Sequence, residues 1–143
     1  MDFFSAMNVS SSGMAAEKTR MNLISSNIAN AHSTRTPEGG PYKRRDPVFS
    51  AVPAEGPFDA ALGRAGRVNK VEVTAVQEDQ TPPRVEYDPT HPDADSNGFV
   101  AMPNVNVIGE MADMVTATRT YEANVTAVQA AKSMAMKALD LLK

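Results

Sequence analysis

Apolar positions near the C-terminal end of the chain recur at alternating spacings of three and four. From Met111 the series runs Met111, Met114, Thr118, Tyr121, Val125, Val128, Lys132, Ala135, Leu139 and Leu142, and eight of its ten members are apolar. This heptad pattern predicts one long amphipathic helix over Asn104 to Lys143, a span with no proline and one glycine, Gly109. Such a helix is roughly 55 Å long. A 143-residue globule has a radius of gyration of roughly 14 to 15 Å. The helix must therefore project, and its seam needs a partner.

Residues 1 to 30 carry a matching pattern. Met7, Met14, Met21 and Ile28 fall seven apart, with Phe3, Phe4 and Ile24 beside the same stripe. They predict a second amphipathic helix. Ser10, Ser11, Ser12 and Gly13 are poor helix formers within it, so the first dozen residues are expected to be weakly helical or disordered in the isolated protein. Eight of the nine methionines lie in these two terminal segments, where an unbranched thioether adapts to non-identical neighbours.

The middle of the chain is different. All ten prolines and six of the eight glycines fall within residues 31–103, which excludes helix for most of it. Thr36 to Pro41 is a turn-rich loop that stops the first helix. Val48 to Val52 reads as a short strand, Glu55 to Gly66 as loop, and Val68 to Gln77, with alternating Val71, Val73 and Ala75, as a second strand. Asp79 to Pro83 reads as a turn and Arg84 to Tyr87 as a return strand. Asn104 or Asn106 is placed to cap the last helix.

Composition narrows the class. The 42% hydrophobic content is ordinary for a folded chain, but aromatics are sparse and tryptophan is absent, so a large aromatic core is not expected. A net charge of -3 argues against affinity built on phosphate neutralisation. The lack of cysteine removes disulfides, thiolate metal sites and cysteine nucleophiles. No apolar run approaches the length of a transmembrane helix. Asp2 stands where a secretory signal would be basic, so no cleaved leader is expected.

Candidate chemistry is thin. His32 and His91 lie in no nucleophile pattern, and Gly39-Gly40 lacks the Lys-Ser/Thr of a phosphate loop. Asp93 to Gly98 matches the first half of a calcium loop, but the twelfth position is Asn104 rather than a bidentate glutamate, so it reads as a polar turn. The basic run Lys43, Arg44, Arg45 is a candidate subunit contact. No catalytic grouping, cofactor site or metal site is expected.

At Ser26, Asn27, Ile28, Ala29 and Asn30 the chain resembles the axial proteins of the bacterial flagellum, the rod and hook family, in which this motif closes the N-terminal helix. The run from Thr34 to Arg44, which includes Thr36, Pro37, Gly39, Gly40 and Tyr42, looks like the proximal rod members of that family. So do Tyr87 to Asp95, Gly98 to Val107 and Arg119 to Val125.

The resemblance implies a structural subunit of the basal-body rod. It implies export through the flagellar type III apparatus without a cleaved signal, assembly in the periplasm, and contacts with proximal and distal rod proteins, the basal adaptor protein and other copies of itself. It also implies that helices from neighbouring subunits enclose the export channel. The expected fold is mainly α with a small β part. Residues 1–32 and 104–143 would form a terminal-helix domain, its two long helices paired as an antiparallel coiled coil. Residues 33–103 would form a Pro/Gly-rich middle region. Thr118 and Lys132, the polar breaks in the seam, would set register. The terminal helices are expected to be completed on assembly. Another axial subunit of distal rod or hook type, or a coiled-coil adaptor of a type III secretion system, are the alternative readings.

Overall fold

The computed structural model describes residues 3–53 and 69–140. Two long helices, α1 (Phe3–Ala29) and α2 (Val107–Asp140), flank four strands: β1 (Arg45–Pro53), β2 (Asn69–Glu78), β3 (Arg84–Tyr87) and β4 (Phe99–Met102). The expected loop from Glu55 to Gly66, with Val68 and Leu142, falls outside the described residues.

α1 runs unbroken through Ser10 to Gly13, although these residues are poor helix formers. The reason is tertiary. Ser12 Oγ donates to the Val9 carbonyl at 2.7 Å and accepts from the Val71 amide at 3.0 Å, stitching the helix to β2. Gly13 faces α2 at close range: a Cβ added there would stand 3.0 Å from Asn124 Nδ2. Residues that weaken an isolated helix are here the ones that let it pack.

The start of α2 is capped by Asn106, whose Oδ1 accepts from the amides of Ile108 and Gly109 at 3.1 and 3.2 Å. Asn104 has another task. Its Oδ1 accepts from the Arg44 amide, and its Nδ2 donates to the Thr81 carbonyl.

The two helices pack on each other in opposite senses. Asn27 of α1 meets Glu110 of α2, Met21 meets Thr118, and Gly13 meets Asn124. The buried line of α2 is not the apolar series read from the sequence. Glu110, Ala117 and Ala131 are buried and Asn124 half-buried, each seven apart, alternating with half-buried Met114, Tyr121, Val128 and Ala135. Met111, Thr118, Lys132 and Leu139 lie one residue further on and are exposed. Of the nine described members of the apolar series, Met114, Tyr121, Val125, Val128 and Ala135 are half-buried and four are exposed. Alanine occupies two of the four inner positions, Ala117 and Ala131. Of the polar breaks, Thr118 is exposed but its hydroxyl reaches Met21 of α1 at 3.7 Å, and Lys132 is exposed.

β1 and β2 form an antiparallel pair against α1, with a bulge at Thr74, whose hydroxyl donates to the Val48 carbonyl at 3.2 Å. Arg84–Tyr87 does not return to β2. It pairs antiparallel with β4, a strand the pattern reading missed, in the register Arg84↔Met102 to Tyr87↔Phe99. Pro82 and Pro83 lack amide donors and so end any continuation of the first sheet. Gly98 precedes β4 at φ 82, beneath Tyr87, where a Cβ would meet the ring at 3.0 Å. The hydrophobic core among the described residues is small: Ala16, Ile24, Ala31, Tyr42, Val100, Ala117 and Ala131.

Candidate functional site

A polar junction forms where the end of α1, the start of β1 and the start of α2 meet. Its centre is Asn27, which is 0% exposed. A carboxamide has two donor hydrogens and two acceptor lone pairs. All four are used here. Nδ2 donates to the Arg45 carbonyl and to Glu110 Oε2, each at 3.0 Å. Oδ1 accepts from the Tyr42 hydroxyl at 2.9 Å and from the Arg45 amide at 3.0 Å. Leucine or alanine at this position would leave four polar groups without partners.

Glu110, 2% exposed, is neutralised by its neighbour. Arg44 Nε donates to Glu110 Oε1 at 2.6 Å, Arg44 Nη1 pairs with Asp46, and Nη2 lies 3.8 Å from Asp113. Arg20 of α1 reaches the other oxygen of Asp113 at 3.8 Å. The network therefore clamps α1, β1 and α2 together through charge as well as amide bonds. Burial disfavours the charge on Arg44, but the bond to Glu110 and the charges of Glu110 and Asp46 outweigh it and raise its pKa above the ordinary value. A buried carboxylate held by a hydrogen-bonded guanidinium and an amide is satisfied, whereas either partner alone would be strongly disfavoured.

The family motif residues build the rest of the junction. Asn30 closes α1: its amide and Nδ2 both donate to the Ser26 carbonyl, at 3.1 and 2.9 Å, and its Oδ1 accepts from Ser33. Ser26 Oγ lies 3.5 Å from the Tyr42 hydroxyl. Ile28 is half-buried and Ala29 exposed. The Thr36 amide donates to the Gly40 carbonyl and the Gly39 amide to the Thr36 carbonyl, which folds the loop back around exposed Pro37. The chain then re-enters at Tyr42, whose amide donates to the Ser33 carbonyl at 2.9 Å. Of the basic run, Arg44 is held inside the chain and Arg45 pairs with Glu78 at 3.0 Å while lying over the Tyr42 ring. Lys43 is exposed. Within the chain Arg44 and Arg45 thus already serve the junction, and Lys43 is open to solvent.

Met7, Met14 and Met21 are half-buried along α1, and Met114, Tyr121, Val125 and Val128 along α2. His32 and His91 line a cavity of about 210 Å³ under β3 and β4 with Glu86 and Asp88, and His91 Nδ1 accepts from the Asp93 amide. Asp95 Oδ1 accepts from the Asn97 and Phe99 amides, so this carboxylate is engaged in forming the turn before β4. Sequence reasoning singled out Asn27 and Tyr42 but missed Glu110, Asp113 and Arg20. The available signal was an acid in the first turn of α2, four residues before Met114 and in phase with Ala117.

Residues 7–35 match the family described as "Flagella basal body rod protein", and residues 96–141 match "Flagellar basal body rod FlgEFG protein C-terminal". These two matches cover α1 from Met7 onward with its closing motif, and the whole of α2, the segments that meet at Asn27 and Glu110. Along its whole length the chain is similar to proteins named flagellar basal-body rod protein FlgC. It is 41% identical to that of Borreliella burgdorferi, covering 100% of this chain and 99% of the relative. It is 40% identical to that of Salmonella typhimurium, covering 99% and 98%. It is 42% identical to that of Bacillus subtilis, covering 100% of both. The chain belongs to the FlgC family of flagellar basal-body rod proteins.

Proposed function

We propose that this chain acts as a non-catalytic structural subunit of the rod, and that its terminal helices form one wall element of a helical tube. In this reading residues 1–32 and 104–143 make an inner domain, with α1 and α2 paired as an antiparallel coiled coil. Residues 33–103 make a small module on its flank. The chain is exported unfolded through the type III apparatus without a cleaved signal. It assembles in the periplasm beside proximal and distal rod proteins, the basal adaptor protein and further copies of itself.

The observation that carries the reading is the distribution of apolar side chains on α2. One face is covered by α1. Another presents Ile108, Met111 and Val115, at 80%, 58% and 51% exposure, at spacings of three and four. A second stripe on a helix already paired through its first calls for a further neighbour. The charged groups of the junction are paired with one another, which fits a brace between elements rather than a reacting centre. Among the described residues no helix is long and apolar enough to cross a membrane.

The test is density for this chain in purified basal bodies, combined with Met111→Asp. The variant is expected to keep the monomer's circular dichroism and to disappear from the particle, with loss of motility. A motile strain carrying Met111→Asp at normal levels in its basal bodies would refute the assembly role of this face.

A further inference from the structure

Among the described residues no third strand continues the β1–β2 pair, so β1 has an outer edge. In an antiparallel pair, successive residues turn their backbone groups alternately toward the partner strand and away from it. Bonds at both ends of the pair fix which residues of β1 turn away. The Asn27 carboxamide holds both backbone groups of Arg45, so Arg45 faces outward. The Arg44 carbonyl accepts from the Asp79 amide at 2.8 Å, so the residue before it faces the β2 side. At the far end the Val71 amide turns away from β1 to reach Ser12 Oγ at 3.0 Å, and Val71 stands opposite Ala51. Both ends give the same phase. Arg45, Pro47, Phe49, Ala51 and Pro53 turn outward, while Asp46, Val48, Ser50 and Val52 turn toward β2. The bulge leaves this alternation intact, because its extra residue, Thr74, belongs to β2.

Proline has no amide hydrogen. Both prolines of β1 occupy outward positions, Pro47 opposite Val76 and Pro53 opposite Asn69. Neither costs the pair a ladder bond, and each removes a donor from the outer edge. Arg45 is already taken: Asn27 offers it one acceptor and one donor, as the peptide of an adjoining strand would. Of the outward residues, Phe49 and Ala51 keep an amide to offer, and both are exposed. The outer edge of β2 is met by α1, through Ser12 at Val71.

We propose that β1 carries a built-in block against strand addition, in which the Asn27 carboxamide and the outward prolines Pro47 and Pro53 stop the β1 edges of two copies from pairing. An open strand edge templates pairing with another chain, and β-branched and aromatic residues favour it. β1 has that character: Val48 and Phe49 are each 39% exposed, and Val52 follows. Without the block, copies held close together would join through their sheets. With it, contacts between copies are left to other surfaces. The block is a property of the single chain and does not depend on the rod reading.

The purified full-length chain provides the test. In the natural chain the Phe49 and Ala51 amides are expected to exchange with solvent about 100-fold faster than those of Val48, Ser50 and Val52. Equal protection would mean that these amides do not face outward, and the proposal would fail. Pro47→Val combined with Pro53→Val returns both donors to the edge. This variant is expected to form multimers on size exclusion and to raise thioflavin T fluorescence roughly fivefold over the natural chain at the same concentration. Elution and fluorescence matching the natural chain would overturn the proposal. A third chain separates edge pairing from simple loss of folding. Adding Ala51→Pro to the double variant removes an outward donor again and is expected to bring the fluorescence back to the natural level. Multimers that persist in this triple variant would also overturn the proposal.

Discussion

At the scale of single residues, Asn27 decides the most. Its amide completes four hydrogen bonds in a site with no water-exposed surface, so its removal strands the Tyr42 hydroxyl, both backbone groups of Arg45 and one oxygen of Glu110. Asn27→Ala is expected to cost about 3 kcal/mol or more in chemical denaturation. Unchanged stability would show that the junction relaxes without it. Asn27→Asp is the sharper variant, because it sets a second carboxylate against Glu110. Like charges raise the folded-state pKa of the pair above its unfolded value, so stability is retained at low pH and lost as pH rises. Its denaturation midpoint should therefore recover on acidification relative to the natural chain. Asp88 has the opposite sign. Its bonds to Thr90 lower its folded pKa below 3.8, so they stabilise the turn above that pH and are lost as pH falls through the folded value. Thr90→Val should move the Asp88 titration upward in a carboxyl-detected NMR experiment.

At the scale of elements, the interface between α1 and α2 is governed by small residues. Gly13 lies opposite Asn124, and Ala16 of α1 and Ala117 and Ala131 of α2 are buried. Gly13→Leu should force the helices apart and abolish the cooperative unfolding transition. The pair Gly13→Ala with Asn124→Ala both removes the 3.0 Å conflict and improves helix propensity, and it should stabilise the chain by roughly 1 kcal/mol. The seam was only partly legible in the sequence for the same reason. Spacing picked out Met114, Tyr121 and Val128, which are half-buried, but a search for apolar residues prefers exposed Met111 and Leu139 to buried Glu110 and Ala131. A buried acid with a partner 66 residues earlier leaves no periodic trace. The strand at Phe99–Met102 was missed because four residues beside a glycine turn carry too little alternation to register. Asn27, Asn30 and Tyr42 were visible as motif members, yet spacing alone does not reveal that their side chains converge.

At the scale of the whole molecule, the described residues bury few hydrophobic side chains, four of them alanine, and much of what holds the ends together is polar. α1 and the start of β1 cannot complete their junction until α2 arrives, since Asn27 and Glu110 are 83 residues apart. A fragment ending at residue 103 should therefore show little α1 helicity by circular dichroism, and a stable α1 in that fragment would contradict this dependence. A chain delivered N-terminus first would then remain an open thread for most of its passage. Closure would be a late event, triggered by the last segment to emerge, and the Asn27 amide would serve as the timer that keeps folding from beginning before the chain is whole.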